Sequence, residues 1–296
     1  YATLQGAIDA ANADDEVVLL KDVTIESKID VTKSLVLNGN NKTLTYKGSD
    51  RAIDVSQETN GANLTVKNLS VQFEGNYRQR GINYNTTGNL TLENVTVGSA
   101  DKHPTYAVNL PGSCDNATID VDGCVFYGNN TFNVWGENCT ITIDGTNITS
   151  VDNANSENYV AVFLNNNGTT SAEGTVITIN GGSIVVATDE NGNPSAAVRN
   201  NTETGVINIS ASTEIIGGTT ESSVAIVYYN DTDNVYSCST LQSAINKAIE
   251  SNAAGVRLIK NVTSDEIITI DGNLNLDLNG KTVTGTANRL FRITKP

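Results

Sequence analysis

The chain has 296 residues and a formal net charge of −15, with 17% charged and 5% aromatic residues. Such an acidic body repels phosphate backbones and anionic lipid surfaces, so neither nucleic acid nor a membrane surface is an expected partner. No apolar run reaches the ~18 residues that a membrane span needs, and 40 asparagines supply polarity without charge. With no Met and Tyr at position 1, the chain is expected to be a piece of a longer protein.

The first predicted element is an amphipathic helix near residues 3–13. Leu4, Ala7, Ile8 and Ala11 fall at i, i+3, i+4 and i+7, which gives one apolar face. A short helix of this kind is expected to cover the open end of a stack of strands.

Six segments then share one pattern. They begin at Leu64, Leu90, Ile119, Ile141, Ile177 and Ile207, spaced 22 to 36 residues apart. The first five read apolar, polar, apolar, polar, Asn or Gly, two variable positions, apolar, as in Leu64-Thr-Val-Lys-Asn-Leu-Ser-Val71. The sixth keeps only the front half. Period-two alternation sends Leu64 and Val66 to one face and Thr65 and Lys67 to the other. The Asn or Gly permits a positive-φ bend into a second strand.

Between these segments runs a second series of short strands. It includes Ala52–Val55, Gly81–Tyr84, Ala107–Leu110, Asn133–Trp135, Ala161–Leu164, Ala197–Asn200 and Ala225–Tyr228. Repeats of this length imply a solenoid. The expected fold is all-β, a right-handed, single-stranded parallel β-helix with an N-terminal capping helix. A β-sandwich would need hairpins and more evenly spaced strands.

Aligning the second strands places Asp54, Asn83, Asn109, Trp135, Phe163, Arg199 and Val227 in one outward column. Trp135, Phe163, Arg199, Asn109 and Asn83 are the expected ligand-binding residues. An aromatic ring can stack on a sugar while amides bond its hydroxyls. The alternative is that neighbouring loops cover this column.

Other candidates carry less. His103, the single histidine, lies in Ala100-Asp-Lys-His-Pro104, read as a solvated turn and not as a general base. Asp120 and Asp122 share a strand face, as a cooperating glycosidase pair would, but outward carboxylates on a strand are usually only solvated. Asp231 and Asp233 form a similar pair. Asp189-Glu-Asn-Gly-Asn193 spaces oxygen donors like a Ca²⁺ loop, yet Pro194 stands where such a loop needs Gly. No metal site and no cofactor are expected. Cys114, Cys124, Cys139 and Cys238 lack metal-ligand spacing and read as buried thiols, or with Cys114 joined to Cys139; four cysteines allow three full pairings. Asn-x-Ser/Thr triplets, at Asn63, Asn94 and Asn261 among others, follow from the repeat. Asparagines at the bends are expected to ladder amide to amide.

The opening of the chain returns near its other end. Thr3-Leu4-Gln5 recurs as Thr240-Leu241-Gln242, and Lys42-Thr43-Leu44-Thr45 recurs 239 residues on as Lys281-Thr282-Val283-Thr284. A second helix is expected near 240–252, with Thr240 as its N-cap. Residues 1–235 therefore read as one module and 236–296 as the start of a second, homologous one.

Leu274-Asn-Leu-Asp-Leu-Asn-Gly-Lys-Thr-Val-Thr284, preceded by Thr240-Leu-Gln-Ser-Ala-Ile245, resembles the β-helix modules of large bacterial cell-surface and adhesin-like proteins, and the wider fold looks like the pectin-lyase superfamily. In the first copy Asn38-Gly39-Asn40-Asn41 stands in place of Asp-Leu-Asn-Gly. The resemblance implies an extracellular or cell-surface location and an adhesin-like stalk contacting glycans or a host or microbial surface. Further modules of the same chain would be its neighbours. Hydrolases of this fold commonly carry a Gly-His-Gly element, which is missing here. A polysaccharide lyase or glycoside hydrolase is the alternative, and a purely structural spacer the third reading.

Overall fold

The computed structural model describes residues 1–56, 61–74, 79–151, 159–186, 195–210, 212–220, 223–230 and 235–294. It is an all-β architecture built on parallel sheets, with two short helices. The chain divides into a first compact unit, Tyr1–Asp152 with Asn158–Ile184 and Val198–Thr213, and a second made mainly of Glu214–Pro296 with Val185–Ala197.

In the first unit the six repeat segments pair in parallel, residue upon residue. One ladder runs Leu64, Leu90, Ile119, Ile141, Ile177, Ile207, and the next runs Val66, Leu92, Val121, Ile143, Ile179, Ile209. Leu35 and Leu37 extend both ladders at the start of the chain. From Leu35 to Ile179 these side chains are almost wholly buried. Burying each one stabilises the fold by roughly 1.5–3 kcal/mol before the chain's entropy is counted. A slip of one residue would turn the whole set outward, so the alternation sets the register.

The bends fall where the pattern puts them. Asn68, Asn94, Gly123, Gly145 and Gly181 all have φ between 51° and 71°. Asn tolerates this left-handed region better than other side chains, and Gly has no Cβ to clash. In the sixth segment the corresponding residue, Ala211, lies outside the described residues. Past the bend the chain pairs again, with Phe126 between Val97 and Ile148.

A second parallel sheet has seven strands in the order Ile29–Val31, Arg51–Val55, Arg80–Tyr84, Tyr106–Leu110, Phe132–Val134, Val162–Leu164 and Val198–Asn200. Spatial order equals chain order throughout. Ile53, Ile82, Val108, Phe132 and Val162 stack in register and are fully buried.

Helix α1 (Leu4–Ala10) buries Leu4 and Ile8. Thr3 Oγ1 accepts the Gly6 N–H at 3.1 Å and caps it. The helix is shorter than the expected 3–13, because Ala11 is already extended.

In the second unit, Ala225–Tyr228 runs antiparallel to both Val235–Cys238 and Gly255–Leu258. This corrects the alignment that continued the second-strand series through Val227. Val227 instead joins a core with Leu241, Ala244, Ile245, Val256 and Leu258. Helix α2 (Leu241–Glu250) is capped by Thr240 Oγ1, which accepts the Ser243 N–H at 3.1 Å.

The two repeat copies match in detail. Asn40 Nδ2 donates to Leu19 O at 3.2 Å, and Asn279 Nδ2 to Leu258 O at 3.0 Å. Thr43 N donates to Asp22 Oδ1, and Thr282 N to Asn261 Oδ1. Asn40 (φ 51°) and Asn279 (φ 48°) both occupy the left-handed region, despite the different residues around them.

Candidate functional site

The outward side chains of the seven-stranded sheet form two neighbouring columns. The register places Asp30, Asp54, Asn83, Asn109, Asn133, Phe163 and Arg199 side by side. Asn133, and not Trp135, therefore takes the fourth expected position. The reason lies in the triplets: Ile53-Asp54-Val55, Ile82-Asn83-Tyr84, Val108-Asn109-Leu110 and Phe132-Asn133-Val134 repeat one polar residue between two buried apolar ones. Trp135, two residues on, lies half-buried in the adjacent column, and its N–H donates to Leu110 O at 2.7 Å.

The first column is a directed chain of amides. Asn165 Nδ2 donates to Asn133 Oδ1 (3.2 Å) and Asn133 Nδ2 to Asn109 Oδ1 (2.8 Å). Asn109 Nδ2 then donates to Asn83 Oδ1 (2.7 Å), and Asn83 Nδ2 to Asp54 Oδ1 (2.7 Å). All four asparagines and Asp54 are buried. Every donor points toward the carboxylate, so the amide dipoles add and the charge is solvated by protein. The expected ladder at the bends is far weaker, with Asn94 to Asn68 at 3.5 Å.

At the Asp54 end the surface opens into a cleft of about 860 Å³, lined by Lys28, Asp30, Arg51, Asp54, Ser56 and Asn85 among others. Lys28 Nζ lies 2.7 Å from both Asp30 Oδ1 and Asp54 Oδ2. Its hydrogen bonds to Asp30 and then Asp54 raise its pKa, so it stays an ammonium and is unsuited to be a base. Arg51 Nε approaches Asp54 Oδ1 at 3.7 Å, too far for a hydrogen bond. Arg51 Nε and Asn85 Oδ1 are buried without hydrogen-bond partners, one donor and one acceptor in the wall of one cleft. At the far end of the column Arg199 lies over the Phe163 ring, 5.7 Å from its centroid. Phe163 is buried, so loops and neighbours do cover part of the expected aromatic face.

The remaining candidates do not join this face. Asp120 and Asp122 are exposed on the repeat-segment sheet. His103 lies in a loop as expected but is buried, which corrects its reading as solvated. Asp189–Asn193, Asp231 and Asp233 lie outside the described residues. No group of three or more metal-binding side chains converges among the described residues. No helix among them is long and apolar enough to cross a membrane.

Sequence reasoning missed Lys28, Asp30 and Arg51. The Asp30 position was legible as one more triplet, Ile29-Asp30-Val31. Lys28 and Arg51 carry no periodic signal and were brought in by strand stacking alone. No model of a known protein family matches this chain, and neither does any curated protein sequence.

Proposed function

We propose that this chain is a parallel β-helix module of a secreted or cell-surface protein, similar to pectin-lyase-like and adhesin-like repeat proteins, and that it binds glycans without cleaving them. The observation that carries the reading is the outward face of the seven-stranded sheet. A pre-ordered amide chain runs from Asn165 to Asp54 at a polar cleft, and half-buried Trp135 lies in the column beside it. A sugar hydroxyl both donates and accepts, and so suits a cleft lined by carboxylates, amides and the Arg51 guanidinium. A half-buried indole offers the apolar ring face that pyranose C–H groups prefer. Stacked strands whose side chains repeat rung by rung also suit a stiff stalk.

A specific feature favours the enzymatic alternative as a second reading. Asp30 and Asp54 are carboxylates on adjacent strands, in a cleft, with Lys28 and Arg51 beside them. Against catalysis, Lys28 is held as a cation between them, and Asp54 already accepts from Lys28 and Asn83.

One experiment separates the readings. The protein is incubated with neutral and acidic polysaccharides, and retention and polymer length are both measured. Retention without shortening, weakened at least tenfold by Trp135→Ala or Arg51→Ala, supports binding. Shortening abolished by Asp30→Asn would replace this reading with the enzymatic one. Neither retention nor shortening would leave the spacer.

A further inference from the structure

Cys114 and Cys139 meet inside the first unit. Both are buried free thiols, 0% and 1% exposed. They sit on successive levels of the parallel stack, where Asn116 N donates to Glu137 O (2.8 Å) and Thr140 N to Ala117 O (3.0 Å). Cys139 Sγ lies 2.7 Å from the Cys114 carbonyl oxygen. At Gly136 an added Cβ would stand 2.4 Å from Cys114 O and 3.1 Å from Cys139 Sγ, so the glycine leaves the room in which the two residues converge. Cys139 stands one level on from Ala117, which lies three residues past Cys114 in the level before it. Cys124 and Cys238 form no comparable pair: the Cys124 thiol faces backbone carbonyls of Leu92 and Asp122, and Cys238 belongs to the second unit.

We propose that Cys114 and Cys139 are a redox pair that closes into a disulfide linking two successive levels of the stack. The pairing is independent of the glycan reading. The oxidant is a small-molecule disulfide such as oxidised glutathione. One cysteine thiolate attacks it and releases one glutathione thiol; the second cysteine then displaces the other glutathione from the mixed disulfide. The two cysteines lose two electrons and two protons, and the oxidant leaves as two thiols. The burial of both cysteines means that exchange proceeds through local opening or during folding.

The test incubates the native protein with graded oxidised glutathione, and separately refolds it in the same buffers. Samples are then alkylated in denaturant, weighed and peptide-mapped. The expected result is loss of two of the four thiols, a mass lower by about 2 Da, and a peptide linking Cys114 to Cys139. Cys124→Ser keeps that link; Cys114→Ser and Cys139→Ser each abolish it, and a thiol reductant restores four thiols. Four free thiols after both treatments, glutathione adducts alone, or any other linkage would overturn the proposal. The Cys124→Ser control distinguishes a missing pair from a variant that does not fold.

Discussion

The side-chain amide of Gln5 is bonded to the backbone of Asp30 at both ends: Nε2 donates to Asp30 O at 3.0 Å, and Oε1 accepts Asp30 N–H at 2.8 Å. Strand Ile29–Val31 is the edge of the seven-stranded sheet. An exposed edge offers unpaired donors and acceptors to other chains. Gln5, carried on α1, supplies the two bonds that another strand would have made there. In the second copy Gln242 does the same for Thr269, at 2.8 and 2.7 Å. The Thr-Leu-Gln motif that opens each copy thus caps the helix with its Thr and the sheet edge with its Gln.

Gln5→Ala is expected to destabilise the protein by about 1–3 kcal/mol, from two net hydrogen bonds of roughly 0.5–1.5 kcal/mol each. Gln5→Glu keeps the acceptor but sets a carboxylate against Asp30 O, and is expected to be no better than Ala. Urea midpoints of the three proteins check this. An unchanged midpoint in Gln5→Ala would mean that water replaces the amide at no cost.

Asn109 is the centre of the amide ladder, donating to Asn83 and accepting from Asn133. Asn109→Ala leaves a buried acceptor and a buried donor unpaired. The expected loss is about 2–6 kcal/mol, since two groups are orphaned and each costs roughly 1–3 kcal/mol. Denaturant unfolding gives the magnitude, and hydrogen exchange along Tyr106–Leu110 gives the location. A loss below half a kcal/mol would show the ladder to be an arrangement without energetic weight.

Glu173 ties one loop to the next. Its carboxylate accepts from the Thr204 hydroxyl (2.6 Å), the Glu203 N–H and the Thr204 N–H. These bonds lower its pKa from an ordinary 4.5 to about 2. The folded state therefore binds this proton less readily than the unfolded chain. The stabilisation is complete above the ordinary value and is lost as pH falls through about 2. Thermal midpoints of the protein and of Glu173→Gln should be well separated at neutral pH and converge below pH 4.5. Parallel curves across that window would contradict the assignment.

On the repeat-segment sheet Asp122 stands in register between Glu93 and Asp144. Like charges directly opposite on neighbouring strands repel. Asp122→Asn is expected to stabilise by about 0.2–1 kcal/mol, and the gain should shrink as salt screens the column. Melting at low and high salt measures both. A loss of stability at low salt would mean that the aspartate has a favourable partner that outweighs the repulsion.

The parallel registers and the bends were legible in the sequence, because period-two burial and left-handed backbone geometry are local requirements. Leu64 stacks on Leu90, and Ile119 on Ile141, and a slip of one residue would turn them outward. Asn68 and Gly123 bend the chain because few other residues adopt positive φ at low cost. Local spacing also identified both helices and the Thr240 cap, while the Thr3 cap came from the structure. Column membership in the second sheet was legible only in part. Asn133 and Trp135 are both outward residues of one short segment, and alternation by itself does not say which of them meets Asn109. Pairing with Asn109 decided it.

Which residues turn inward and where the chain bends follow from neighbours within a few positions, and both could be read from residue order. Folding in three dimensions was needed to set Lys28 between Asp30 and Asp54, to bring Gln5 to the sheet edge and Cys139 to Cys114, and to run Ala225–Tyr228 antiparallel. Each of these depends on loops of differing length bringing distant segments to the same height, and no local periodicity records that height.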